Sequence, residues 1–416
     1  MYTASSDIPM RNVDAAGLGI GDDYPPRIMG VLNVSKESPY EPSVFDDAGE
    51  AAEYVDRELI DEGADIVDVG LESANKRFEV LSAEEELDRL ETAVETVESV
   101  SGDAVFSIET RYHEVAEAAL DANFDMVNDI CGFADPEMPE VCEARDAAVA
   151  KMASPPDLER PGAVEEVDDI YEALTQNGLT DKTIVDPAFG GWSEAKTLDH
   201  DRETFHRLRE FRGFGQPVLV SINRKNFLRE IAGRSTEEAL PVSLAATSMA
   251  VERGAHVVRT HDVGQTRDAA LVGKEFARRR LRKAGDVGVE ELDVTTVREA
   301  RRHVARVRGD DGTAADADAS GGSTGSTAPD ASDVPAPDAA RHAVTRVFEL
   351  TGLDAESKGA LRAAAAETAL VLVEGRDGTS LLAVGTPVAF ENTATEAGGV
   401  SSALDAALER IADEAR

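Results

Sequence analysis

The feature that most constrains this chain is a repeat. Between residues 27 and 282 a short run of β-branched residues is followed, again and again, by a longer segment of helical period. The short runs are Ile28–Val34, Asp65–Val69, Ala104–Ile108, Asp125–Asn128, Ala148–Met152, Thr183–Val185, Val218–Ile222 and His256–Arg259, eight in all. The clearest helix between them is Ser82–Val100 (SAEEELDRLETAVETVESV). Its Ser82 and Glu85 form a capping box, and Leu87, Leu90, Val94 and Val97 are expected to form the apolar stripe. Turns such as Glu-Gly-Ala-Asp (62–65) and Arg-Gly-Ala-His (253–256) precede strands, with Gly where a helix C-terminus needs it.

Eight strand–helix units in about 250 residues is the size of a (β/α)₈ TIM barrel. A doubly wound open sheet usually has fewer units and often a Gly-rich first turn, which is absent here. Residues 309–335 break the pattern: they are acidic and small, with Val334 as the one large apolar residue, and cannot bury a core. Beyond them the composition is globular again. A helix is expected at Arg341–Leu350, a hairpin from Ala369–Val373 and Leu381–Val384 around Gly-Arg-Asp-Gly, and a closing helix at Ala403–Ala415. The expected fold class is α/β: a (β/α)₈ barrel, an acidic flexible linker and a small α+β C-terminal module. The boundaries are 1–26 for a lead segment, 27–283 for the barrel, 284–308 for a connecting helix, 309–337 for the linker and 338–416 for the module. The helix Thr296–Val307 is also a candidate member of the module, which shows no catalytic constellation.

Charge excludes several functions. Lys and Arg number 42 against 82 Asp and Glu, a formal net charge of −40. Such a surface repels nucleic-acid phosphate and anionic lipid, so neither partner is expected. The acids are interleaved with apolar periodic segments, which reads as a solvated, salt-adapted surface rather than a disordered chain. Cys131 and Cys142 are too few for a disulfide scaffold and match no zinc spacing. No window of about 18 apolar residues suggests a membrane span. The first residues lack the basic and apolar regions of a signal peptide, so a cytoplasmic location is expected.

In such barrels chemistry sits at the C-terminal ends of the strands. In order, those ends carry Asn33; Asp68, Gly70 and Glu72; Glu109; Asn128 and Asp129; Asp186; Asn223, Arg224 and Lys225; and Arg259, His261 and Asp262. Seven of the eight strands thus deliver an amide, carboxylate or cation to one rim. Glu109, Asp186 and Asn128 suit a flat heterocycle, because an ionised carboxylate accepts two parallel N–H bonds. Arg259 and His261 are two apart and share a strand face. With Asn33 from the first strand they form a candidate anion site.

These residues amount to a resemblance. Residues 27–282 resemble dihydropteroate synthase, a folate enzyme of the pterin-binding TIM-barrel family. The matching stretches are Met29–Val34 (MGVLNV), Asp65–Gly70 (DIVDVG) with Glu72 and Ser73, Ser107–Thr110 (SIET), Asn128–Gly132 (NDICG), Asp186–Gly190 (DPAFG), Asn223–Phe227 (NRKNF) and Val258–Val263 (VRTHDV). The resemblance implies an enzyme, a transferase that joins 6-hydroxymethyl-7,8-dihydropterin diphosphate to 4-aminobenzoate and releases diphosphate. It implies that Asp186, Asn128 and Glu109 hold the pterin edge and that Lys225 reaches its other polar atoms. It further implies that Arg259, His261 and Asn33 bind the diphosphate, with Asn33 helping to place Mg²⁺. Lys225, Arg259 and His261 would carry the catalysis. The implied partners are the pterin diphosphate and the arylamine, with a homodimer through the barrel as the candidate assembly.

The chain departs from the family pattern in places. Ser35-Lys-Glu-Ser-Pro39 stands where Thr-Pro-Asp-Ser-Phe is usual, and Ala74-Asn-Lys-Arg77 where Thr-Arg-Pro-Gly is usual. Those loops help to bind diphosphate and shape the aminobenzoate pocket. Lys36, Lys76 and Arg77 are the candidates to replace the lost cation. Glu109 stands for an Asp, Asn223 for a Ser, and Met152-Ala153 for Met-His. A second reading stays open on the sequence alone: a pterin-binding paralogue without synthase activity, methyl-pterin transferase-like or regulatory.

Overall fold

The computed structural model describes residues 12–34, 43–72, 80–158, 164–190, 196–277, 283–284, 287–288, 292, 294–308, 336–374 and 380–415. Loops 35–39 and 74–77, with Lys36, Lys76 and Arg77, lie outside them, as do Ser73 and the linker 309–335. The chain divides into two compact units, Met1–Glu291 and Leu292–Arg416.

The first unit opens with an antiparallel hairpin, β1 (Val13–Ala15) and β2 (Leu18–Ile20). The eight barrel strands follow: β3 (Arg27–Asn33), β4 (Ile66–Gly70), β5 (Val105–Thr110), β6 (Met126–Asp129), β7 (Ala148–Met152), β8 (Thr183–Asp186), β9 (Leu219–Val220) and β10 (Val257–Thr260). They are all parallel, in the order β8-β7-β6-β5-β4-β3-β10-β9. A parallel bridge between Val185 and Val218 closes the ring, and the Val185 N–H donates to Pro217 O at 2.9 Å. Helices α1 (Ala48–Tyr54), α2 (Ala83–Ser99), α3 (His113–Asp121), α4 (Met138–Ala144), α5 (Val167–Thr175), α6 (Leu198–His206), α7 (Asn226–Ala232), α8 (Leu240–Glu252) and α9 (Val263–Phe276) alternate with the strands. This is the TIM-barrel architecture expected from the repeat. Among the described residues no helix is long and apolar enough to cross a membrane.

Side-chain alternation divides each strand between two environments. Ile28, Leu32, Val67, Val69, Ile108, Val127, Val149 and Val185 pack outward against the helices. Met29, Ile66, Val105, Met126, Ala148, Ala150, Ile184, Leu219 and Val257 pack with one another inside the ring. The hairpin joins this inner cluster through Val13, Ala15 and Ile20, so it covers the N-terminal mouth of the barrel. The capping box of α2 is present: Ser82 Oγ accepts from the Glu85 N–H at 3.3 Å, and Glu85 Oε2 accepts from the Ser82 N–H at 2.8 Å. The expected stripe on α2 is rotated, however. Leu87 is exposed and Glu86 is buried, because Glu86 accepts from Thr110 Oγ1 at 2.6 Å and faces the Arg111 guanidinium.

A short pair, β11 (Lys283–Ala284) with β12 (Val287–Gly288), ends the described part of the first unit. The second unit contains α10 (Val297–Arg308), α11 (Ala336–His342), β13 (Arg346–Thr351), α12 (Ala355–Thr368), β14 (Val371–Glu374), β15 (Ser380–Gly385), α13 (Pro387–Ala397) and α14 (Ser402–Ala415). Its antiparallel sheet has the order β13-β15-β14. Leu350, Leu361, Leu381, Phe390, Leu404 and Leu408 form its core. The expected helix at 341–350 is not there: α11 ends at His342, and Arg346–Thr351 is a strand. Phe348 and Leu350 alternate toward the core there, and β15 supplies a six-residue ladder, so pairing overrides the helical reading. Helix α10 packs on α11 through Val297, Ala300 and Ala340, within the second unit.

One ion cluster fastens the hairpin segment to the barrel. Arg212 donates to Asp22 Oδ1 at 3.1 Å and to Oδ2 at 2.9 Å. The Val218 N–H donates to His256 Nδ1 at 3.0 Å, so the proton sits on Nε2, which donates to Asp22 Oδ1 at 3.0 Å. Burial alone would raise the Asp22 pKa, but His256 and Arg212 outweigh it and hold the carboxyl well below its usual range. Breaking such a pair from one side costs about 3 kcal/mol or more. Asp22→Ala should lower urea stability by that order at neutral pH. The stabilisation is present above the ordinary carboxylate pKa of 3.8 and is lost as pH falls below it, so the gap between wild type and variant should narrow in acid. An unchanged urea midpoint at pH 7 would contradict this role.

Candidate active site

The register of the ring sets the upper rim. Asn33 pairs with Gly70, Gly70 with Glu109, and Glu109 with Asn128, so four neighbouring strands place these residues in one row. One layer lower, Asp68 pairs with Ser107. Arg259 lies on β10, beside β3. Its guanidinium donates through Nε to Asp68 Oδ2 at 2.7 Å and through Nη2 to Glu109 Oε2 at 2.5 Å. Asn128 Nδ2 donates to the same Asp68 oxygen at 2.9 Å. The structure therefore brings Arg259, Glu109 and Asn128 together around Asp68. Asn33 stands in the same row, with Nδ2 donating to Ser43 Oγ at 2.9 Å.

Asp186 lies at the end of β8, where its Oδ1 accepts from the Ala188 N–H at 2.8 Å. The loop it starts is tightly held. Ala188 has φ 56° and Gly190 φ 82°, both left-handed, and such a conformation costs a non-glycine residue about 1 kcal/mol or more. Buried Phe189 stacks on Phe227 at 5.7 Å between ring centroids. Lys196 Nζ donates to Ala188 O at 2.7 Å, and the Gly190 N–H donates to Asp201 Oδ1 at 3.1 Å. A Cβ on Gly190 would come within 2.9 Å of Lys225 Cδ, so the missing side chain leaves room for the lysine stem.

A second clamp holds the ends of β9 and β10. Arg224, itself left-handed at φ 53°, donates to both Asp262 oxygens at 2.8 Å. Asn223 Nδ2 donates to Asp262 Oδ2 at 2.9 Å, and Asn223 Oδ1 accepts from the His261 N–H at 3.4 Å. This clamp sets the backbone at Lys225 and His261. On the other side, Glu72 Oε2 pairs with the fully buried Arg111 at 2.6 Å, and Arg111 also donates to Leu81 O at 2.7 Å. Glu72 and Leu81 flank residues 73–79.

Burial and mutual proximity perturb Asp186, Glu109, Lys225, His261 and Arg259. Burial raises Asp186 to about 6 and pushes Glu109 up as well, against the opposing pull of Arg259. Burial and then the Arg259 charge lower Lys225 to about 8 and His261 to about 3, so His261 is a neutral imidazole at working pH. Burial would lower Arg259, but Glu109 and Asp68 outweigh it and keep the guanidinium charged. The result is a rim on which carboxylate and amide acceptors stand beside two cations, Arg259 and Lys225. It can take an N–H-rich ring edge and an anion together. The sequence placed Asp68 at the rim without assigning it a role, and it gave no sign of Lys196. Asp68 had a signal, a lone acid with inward parity in an otherwise apolar strand.

A pterin-binding enzyme family model matches residues 29–261. A dihydropteroate synthase from Clostridium beijerinckii is 30% identical over 259 residues, which is 61% of this chain and 94% of that protein. A probable bifunctional folylpolyglutamate synthase/dihydropteroate synthase from Haloferax volcanii is 34% identical over 267 residues, but the chain spans only 31% of its length. Among solved structures, a dihydropteroate synthase from Coxiella burnetii in complex with pteroic acid superposes with a TM-score of 0.54 at 28% identity, covering 64% of this chain and 98% of that one. The Thermus thermophilus enzyme in complex with 4-aminobenzoate gives 0.53 at 29% identity, over 64% and 99% of the two chains.

The raised pKa of Asp186 is also a stability statement. A carboxyl whose folded value lies above 3.8 destabilises the fold when ionised, and that penalty is present above about pH 6 and vanishes below the unfolded value. Asp186→Asn, which keeps an acceptor for Ala188, should therefore stabilise the unliganded protein at pH 8 by on the order of 2 kcal/mol. The gain should shrink at pH 5. Urea melts of both proteins at the two pH values check this, and a variant less stable than wild type at pH 8 would contradict it.

Proposed function

The chain belongs to the pterin-binding enzyme family, in its dihydropteroate synthase branch, and on that premise we propose that its barrel joins 6-hydroxymethyl-7,8-dihydropterin diphosphate to 4-aminobenzoate, or a related arylamine, with release of diphosphate. The observation that carries this reading is Arg259, an inward guanidinium in contact with Glu109 on the same rim as Asn128, Asp186 and Lys225.

In this reading Asp186, ionised above about pH 6, accepts two parallel N–H bonds from the guanidine-like edge of the pterin. Asn128 and Glu109 take the adjoining edge. Lys225, at about 8, is mostly charged at neutral pH and donates to the ring's acceptor atoms. Arg259 and Asn33 face the diphosphate, and neutral His261 donates a hydrogen bond to it without adding charge. As the C–O bond breaks, negative charge gathers on the departing diphosphate, where preorganised donors stabilise it best. The arylamine nitrogen forms the new C–N bond at the methylene and then loses its proton. Placement of the amine supplies much of the rate. No protein nucleophile is required: burial holds the Cys131 thiol well above its usual value and raises Cys142 to about 12.

The rim also fits Mg²⁺. A Cβ on Gly70 would lie 3.3 Å from Asn33 Oδ1 and 3.6 Å from Glu109 Oε1, so two oxygens converge over a residue without a side chain. Oxygen donors of this kind suit a hard divalent cation. Asn33 would hold it, and the ion would neutralise charge on the diphosphate. The net charge of −40 supports a protein that works in a salt-rich cytoplasm. A homodimer through the barrel belongs to the same reading, with exposed apolar Met249, Leu271, Val272 and Phe276 of α8 and α9 as its candidate contacts.

The diphosphate ester should bind more tightly than free 6-hydroxymethyl-7,8-dihydropterin, by about ten- to a hundredfold for one charge-assisted contact. Arg259→Ala should erase most of that difference and leave the affinity for the free pterin in place. Calorimetric titration of both ligands into both proteins, with and without Mg²⁺, checks it. Equal wild-type affinity for the two ligands would sink the transferase reading in favour of a non-synthase pterin binder.

A further inference from the structure

Asp68 occupies the middle of β4 (Ile66-Val-Asp-Val-Gly70) and is fully buried. A carboxylate there is costly unless something compensates it. Among the described residues its compensation comes from two side chains of other strands. Arg259 Nε and Asn128 Nδ2 both donate to Oδ2, at 2.7 Å and 2.9 Å. Among the described residues its other oxygen, Oδ1, has no hydrogen-bond partner, and neither has Ser107 Oγ, which faces the ring in the paired position on β5. A carboxylate kept only for stability would have both oxygens satisfied.

The two contacts have consequences that depend on chemistry rather than packing. A carboxylate accepts and cannot donate, so Asn128 must turn its NH₂ toward Asp68 and its Oδ1 away from it. That orientation leaves an acceptor to meet an N–H of a ligand. On Arg259, Asp68 takes the Nε edge and Glu109 takes one Nη2 hydrogen, which fixes the plane of the guanidinium and leaves Nη1 for an anion. Without Asp68, the long side chain would be held by Glu109 alone, and Glu109 is itself a candidate pterin ligand.

We propose that Asp68 is a positioning residue for the transfer reaction: one buried carboxylate aims Arg259 at the diphosphate and sets the amide of Asn128 to read the pterin edge. This inference rests on the synthase reading given above and adds a residue that touches neither substrate.

The test is calorimetric titration of the diphosphate ester and of free 6-hydroxymethyl-7,8-dihydropterin into the full chain, wild type and Asp68→Asn. An amide at 68 accepts from one neighbour but turns an NH₂ toward the other, so the Arg259 plane is released. The preference for the ester should fall about tenfold, the equivalent of one charge-assisted bond. In the Asp68→Asn background a further Arg259→Ala should change that preference by about twofold or less, because the two substitutions remove the same interaction. A purely structural role would weaken both ligands in proportion and leave the ratio unchanged, and that result would overturn the proposal. Should Asp68→Asn fail to fold, Arg259→Lys decides. It keeps the charge but cannot span Asp68 and Glu109, so loss of the preference supports the proposal and retention overturns it. A wild type that shows no preference refutes the synthase reading and this inference with it, a failure visible before any substitution is made.

Discussion

The rest of this structure depends on closing eight parallel strands into a ring at a fixed register. Closure makes side-chain parity absolute: each strand residue faces either the helices or the barrel axis. Met29, Ile66, Val105, Met126, Ile184 and Val257 fill the lower interior, so the polar residues that share their parity can only stand above them. Asp68, Glu109, Asn128, Asp186 and Arg259 are polar on that inward face. A register slip of one residue would turn Glu109 outward and Ile108 inward. The site is thus a property of the ring, and the covered N-terminal mouth, fastened by Asp22, is part of what keeps it closed.

Within that frame the charges are nearly self-cancelling. Arg259 is shared between Asp68 and Glu109, Lys196 lies 3.6 Å from Asp201, and Arg111 is paired with Glu72. The exterior has no such balance, since the chain carries 82 acids against 42 bases. The rim therefore holds buried cations beneath an exterior in which acids outnumber bases, and an anionic substrate has a defined place to go. Asp186 is less well compensated, raised to about 6 with its neighbouring cations unable to offset burial. That imbalance suits a group meant to be neutralised by a ligand rather than by the fold.

The eight strands were legible because β-branched runs punctuated by helical segments leave few alternatives, and the residues at their ends followed. Other features were not. The stripe on α2 was expected at Leu87, yet Glu86 is buried, because Thr110 and Arg111 wait for it on the next strand. No local pattern announces a partner that distant. The stretch at 341–350 has helical composition, but the ladder with β15 decides its state, and that ladder is a long-range contact. Asp68 was visible as an acid in an apolar strand. Its role needed Arg259 and Asn128, which are remote in sequence and meet only when the ring closes. The placement of Lys225 and His261 depends likewise on the left-handed turns at Gly190 and Arg224.

The central claim is that this rim both holds a pterin and expels diphosphate from it. The most direct test is turnover by the purified full chain, given 6-hydroxymethyl-7,8-dihydropterin diphosphate, 4-aminobenzoate and Mg²⁺ in high salt. Dihydropteroate and diphosphate should appear together in equal amounts, and both should stop when the arylamine is left out. Tight binding of the pterin diphosphate with no dihydropteroate formed, from 4-aminobenzoate or any other arylamine, would contradict it.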